Sequence, residues 1–195
     1  MHPVRESPSE WVSRFTGVIP QGLVLDLACG NGRHARLLAD AGHRVLAVDR
    51  NAAVLAELAS ASIEIRCIDL ETGDAATRLL SLNTFAGIIV TNYLHRPLLP
   101  MLFSGLVEGG VLIYDTFAQG NGAFGKPASP AFLLQSGELL DAVAQAPCKM
   151  HVLAYEDGFI GAPRPAMRQR LCAIRSSAEP APEALKLSSF SAPRG

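Results

Sequence analysis

Seven short apolar runs, at residues 23–28, 44–49, 63–68, 85–91, 111–115, 149–156 and 167–175, read as β-strands. Between them lie stretches with helical spacing at 33–41, 52–59, 75–82 and 137–146, and one begun by Pro97. Strands that alternate with helices predict an α/β domain with a mostly parallel sheet. The run at 85–91 is apolar throughout, as a central strand covered on both faces should be. The run at 63–68 alternates Ile63, Ile65 and Cys67 with Glu64 and Arg66, which predicts an edge strand with one wetter face. A short connection holding Asp157-Gly158, Gly161, Pro163 and Pro165 joins the last two runs, so these should form an antiparallel hairpin. Residues 9–17 read as a capped helix with Trp11, Val12 and Phe15 on its apolar side. The spacing puts Ala35, Leu37, Leu38 and Ala41 of the 33–41 helix inward and leaves His34 and His43 on the surface. One domain is expected over 23–176, preceded by a cap-helix segment at 1–22 and followed by a flexible tail at 177–195 rich in Ser, Ala and Pro.

Candidate chemistry concentrates where the first strand ends. Val24 to Ala35 is a strand, a turn with two closely spaced glycines, Gly30 and Gly32, and the start of a helix, and the next strand ends in Asp49. In a doubly wound sheet an acid at that place can grip a ribose, so a nucleoside-bearing ligand is indicated. The spacing Gly30-x-Gly32-x-x-Ala35 also fits a dinucleotide fingerprint. Asp26, however, puts a carboxylate beside the turn, which repels a pyrophosphate and suits a ligand carrying an amine and a sulfonium.

The order Asp26, Ala28, Gly30, Gly32 resembles the first motif of class I S-adenosylmethionine-dependent methyltransferases, with Ala28 where that family has glycine. Over residues 23–70 the string is most similar to the tellurite-resistance (TehB-like) branch. The resemblance implies a Rossmann-like fold, a seven-stranded, mostly parallel sheet with an antiparallel last strand and helices on both faces. It implies S-adenosyl-L-methionine as cofactor. Asp26, Ala28, Cys29, Gly30 and Gly32 would then lie on its methionyl side, with Arg14 pairing the methionyl carboxylate. Asp49, with Arg50 beside it, would hold the ribose, and Asp69 with Leu70 the adenine, Glu71 being a second acid in reach. Asn92, Tyr93 and His95, just after the fourth strand, would face the methyl donor. His95 is the candidate base, Tyr93 a candidate wall of the transfer pocket, and Arg96 either an anion ligand or a solvated side chain. The function expected is methyl transfer to a small-molecule acceptor, the alternatives being an NAD-dependent oxidoreductase and a catalytically silent nucleoside-binding partner subunit.

Composition narrows the remaining choices. A formal net charge of −1 gives no global attraction to nucleic acid or to an anionic membrane, so neither is expected as a partner. The four cysteines, Cys29, Cys67, Cys148 and Cys172, are scattered without ligand spacing and read as buried reduced thiols, with no metal site. The N-terminus lacks a signal-peptide core and no run reaches transmembrane length, so a cytoplasmic protein is expected. Residues 117–135 form a long loop read as a substrate cover, with Thr116, Phe117 and Phe124 toward the pocket.

Overall fold

The computed structural model describes residues 6–178. Its seven strands are β1 (Leu23–Leu27), β2 (Arg44–Asp49), β3 (Ile63–Cys67), β4 (Phe85–Thr91), β5 (Leu106–Phe117), β6 (Met150–Ile160) and β7 (Ala166–Arg175). The helices are α1 (Glu10–Phe15), α2 (Arg33–Asp40), α3 (Ala52–Leu55), α4 (Ala75–Leu79), α5 (Leu99–Gly105) and α6 (Glu138–Ala144). The strands form one sheet in the order β3-β2-β1-β4-β5-β7-β6, with β7 antiparallel to both its neighbours and every other pairing parallel. The edge position of β3 and the terminal hairpin are as the patterning predicts. The strand order reverses between β1 and β4, where an open α/β sheet places its ligand crevice.

Every residue of β4 is buried, and alternate side chains of the central strands feed two cores. One face packs Leu25, Leu27, Ile88 and Val90 against α4 and α5 through Leu79, Leu102 and Phe103. The other packs Val24, Ile89 and Ile113 under α1 and α2, where Trp11, Val12, Phe15 and Leu38 lie. Ser9 caps α1 by accepting the Trp11 amide, and the Trp11 indole N–H donates to the Leu171 carbonyl at 3.2 Å, which ties the cap helix to β7.

Several expectations are corrected. The helix expected over 52–59 is a single α-turn, and β5 extends from Leu106 with a register shift opposite Phe85 to Gly87. Strand β6 runs through Asp157 and Gly158, so the hairpin turn falls later, at 161–165. His34 and His43 are buried, not on the surface, whereas Ala41 and Cys67 are exposed. Residues 179–195 of the expected tail lie outside the described residues. Among the described residues no helix is long and apolar enough to cross a membrane.

Candidate active site

The carboxyl ends of β1 to β5 surround a cavity of about 610 Å³. Its floor is the glycine turn, where Gly30 holds φ at +53° and leaves the backbone uncovered on the cavity side. Asp49 locks that turn: Oδ2 accepts the Gly30 amide at 2.9 Å and Oδ1 accepts the Asn51 amide at 2.9 Å. Each carboxylate oxygen keeps a further lone pair for a hydroxyl donor. Asp69 at the end of β3 is built the same way, its Oδ1 accepting the Glu71 amide at 2.9 Å. Four acids, Glu6, Asp49, Asp69 and Glu71, line the cavity against two bases, Arg33 and Arg50, and Arg33 is already paired with Glu6 at 2.8 Å. The balance favours a ligand with positive charge.

The structure brings most nominated residues together. Ala28, Cys29 and Gly30 come from the turn, Asp49 and Arg50 from the end of β2, Asp69 and Leu70 from the end of β3, and Asn92 and Tyr93 from the end of β4. Tyr93 stands on the β3 side of this space. Burial raises its phenol pKa, the charges of Glu71 and Asp69 raise it further, and its buried hydroxyl has no hydrogen-bond partner among the described residues. It is therefore a neutral O–H donor beside the acids at the end of β3.

Four nominated residues stand apart from the cavity lining. Asp26 is only 1 % exposed, inside the α2 face between Ala47 and Ile89, and its oxygens have no hydrogen-bond partner among the described residues. Burial pushes its carboxyl up to about 7, although the Ala35 amide and the Arg33 charge pull the other way. Gly32 caps α2 with φ +72°, where a Cβ would run into Leu58, so this glycine serves helix packing. Arg14 lies over the Phe15 and Trp11 rings and pairs with Glu156, because α1 turns that face toward β6. His95 initiates the turn before α5, its carbonyl accepting the Leu98 amide at 3.0 Å.

Other residues in or near the cavity were missed or misread. Phe117, Pro127 and Phe132 supply the cover expected of the 117–135 loop, but Phe124 stacks on Phe159 with ring centroids 5.0 Å apart and does not line the space. His34 bridges the Ser9 amide, accepted at Nε2 at 3.0 Å, and the Thr91 hydroxyl at 3.2 Å, and burial drives its pKa down to about 4. Asp115, buried at the end of β5, receives Ser9 Oγ at 2.6 Å and the guanidinium groups of Arg168 and Arg170. No sequence pattern announces these contacts.

Residues 24–108 match the family model described as a methyltransferase domain. No curated protein sequence matches the chain at a significant level. Among solved structures, TehB from Haemophilus influenzae superposes with a TM-score of 0.67 at 18% identity, covering 87% of this chain and 63% of its own. An S-adenosylmethionine-dependent methyltransferase from Mesorhizobium loti gives 0.62 at 17% identity, covering 85% and 97%. Together with a seven-stranded sheet whose seventh strand is inserted antiparallel between β5 and β6, these matches decide the architecture. The chain has the class I methyltransferase fold. The [4+2]-cyclase SpnF shares it, with a TM-score of 0.63 at 14% identity over 89% of this chain and 84% of its own. A class I fold thus hosts more than one chemistry, and the chemistry has to be argued from the site.

Proposed function

We propose that the protein is an S-adenosylmethionine-dependent methyltransferase acting on a small-molecule acceptor. The observation that carries this reading is the Asp49 latch. A carboxylate already occupies the Gly30 amide, at the place where a dinucleotide fold offers free N–H groups and a positive helix end to a pyrophosphate. A second anion there would meet Asp49 directly.

The residues present fit the cofactor. Asp49 would accept the ribose hydroxyls with its remaining lone pairs, and the orphaned Tyr93 hydroxyl, beside Asp69 and Leu70, would find an acceptor on the base. Ala28 and Gly30 would lie along the methionyl portion, in a site whose acids exceed its bases. When bound, the sulfonium donor supplies a methyl group already activated for displacement, so alignment and exclusion of water are what the protein adds.

Phe117, Pro127 and Phe132 give the cavity apolar walls, which this reading assigns to the acceptor. His95, the base the sequence suggested, stands apart from the cavity lining, and an acceptor whose reacting lone pair is already free needs no base. The resemblance of residues 23–70 to the tellurite-resistance branch concerns the donor side and leaves the acceptor open.

Isothermal titration tests the proposal. S-adenosylhomocysteine should bind with micromolar affinity and NADH should not; tight NADH binding with no uptake of S-adenosylhomocysteine would reverse the assignment. Methyl release from labelled donor across a panel of thiols, phenols and amines then distinguishes an enzyme from a silent nucleoside-binding subunit.

A further inference from the structure

Arg168 reaches from β7 to the end of β4. Its Nε donates to Asp115 Oδ1 at 2.6 Å, and one terminal nitrogen donates both to the Asp115 carbonyl at 3.0 Å and to Asn92 Oδ1 at 2.8 Å. A guanidinium has donors and no acceptor, so the Asn92 amide has to offer it the oxygen. The NH2 edge is left over, and it makes no hydrogen bond among the described residues. Asn92 is held by its backbone too: its own amide donates to the Asp115 carbonyl at 3.0 Å, and its φ of +54° is one that asparagine tolerates better than most residues. The same guanidinium lies 4.5 Å from the centre of the Phe117 ring. One buried cation therefore sets both the amide and an aromatic wall of the cavity.

We propose that Arg168 is a positioning residue that selects the acceptor: through the uncommitted NH2 edge of Asn92, a residue that lines the cavity, the site takes a planar, apolar molecule bearing a phenolate-type oxygen and disfavours an amine in the same place. This deepens the methyltransferase reading, on which it rests for which end of the cavity receives the acceptor. The walls at that end are apolar, from Leu94, Phe117, Pro127 and Phe132. A small inorganic oxyanion concentrates its charge and would need a free cation, but Arg33 is paired with Glu6 at 2.8 Å and Arg50 stands at the end of β2; a phenolate spreads a single charge over its ring and asks for one donor. An amine N–H facing the Asn92 NH2 would set donor against donor, whereas an oxygen lone pair completes the bond.

The test compares two probes of nearly equal shape, 4-nitrophenolate and 4-nitroaniline, titrated into the full chain with and without saturating S-adenosylhomocysteine. The wild type should bind the phenolate at least about ten-fold more tightly, the order expected of one satisfied against one blocked hydrogen bond. In Arg168→Lys the positive charge beside Asp115 is kept but the second arm is gone, so the amide can turn over and the preference should fall to about equal binding. Asn92→Asp keeps the backbone conformation and removes the donor, and phenolate binding should be lost. General attraction of the anion would survive Arg168→Lys, so that variant separates orientation from charge. Equal affinities in the wild type, no binding of either probe, or an unchanged preference in both variants would overturn the proposal. A flat preference with S-adenosylhomocysteine bound sinks this inference alone; a retained preference with no S-adenosylhomocysteine binding sinks the cofactor reading.

Discussion

Arg96 and Glu138 form a two-pronged ion pair, Nε to Oε1 at 2.6 Å and a terminal nitrogen to Oε2 at 2.9 Å, that joins the segment after β4 to the start of α6. Arg96 also donates to the carbonyls of Ala131 and Leu133, on either side of Phe132, whose ring lines the cavity. The residue open to reading as an anion ligand or a solvated arginine is a clamp on the cover loop.

Arg96→Ala should therefore loosen the cover without unfolding the sheet. Hydrogen exchange at the Leu133 and Leu134 amides, bonded to Pro130 and Phe117, should accelerate by about ten-fold or more, while β4 amides keep their protection. Uniform acceleration across the sheet would mean that the clamp is global and not local.

Asp49→Ala removes the anchor of the glycine turn together with the proposed ribose acceptor. Affinity for S-adenosylhomocysteine should fall by roughly a hundred-fold, the scale of one or two hydrogen bonds to a charged group. Asp49→Asn retains an acceptor oxygen and should fall less. Calorimetry gives both values, and affinity unchanged in both variants would remove Asp49 from the site.

Ala28 occupies the left-handed region with φ +54°, at the position where the resembling family has glycine. The Cβ costs about 1 kcal/mol there. Ala28→Gly should relieve that cost and raise the urea midpoint, since the native φ suits glycine, less a few tenths of a kcal/mol for the freer unfolded chain. A lowered midpoint would show that Ala28 contributes packing that outweighs its strain.

Asp26 and His34 oppose one another in the pH dependence of stability. Folding raises the Asp26 carboxyl from 3.8 to about 7, so the native state holds an extra proton in that window and loses stability as pH rises through it. Folding lowers His34 from 6.5 to about 4, so the unfolded state holds the extra proton and stability falls as pH drops through that range. In the wild type the two slopes partly cancel. Asp26→Asn should leave the His34 slope alone, with a steeper loss of stability on acidification, up to about 1.4 kcal/mol per pH unit. His34→Gln should leave the Asp26 slope, with stability rising as pH falls from about 7 to about 5. Urea unfolding across that interval decides; identical profiles in both variants and the wild type would show that neither group titrates as its burial requires.

The strands, their alternation with helices, the reversed last strand and the glycine turn with Asp49 at the end of the next strand were legible in the chain; that Asp49 bonds the turn was not. The legible features rest on local periodicity and on residues a short distance apart, such as Gly30 and Asp49, which the first two strands bring together in any fold of this kind. The tertiary structure alone decided that His34 faces Thr91 across 57 residues of sequence, that Arg168 holds Asn92 across 76, and that Asp26 lies sealed beneath α2. A polar side chain looks solvated in a sequence until its partner is found. Such partners come from non-consecutive strands, and only the sheet order, which is set by how the whole core packs, places them within a hydrogen bond of each other.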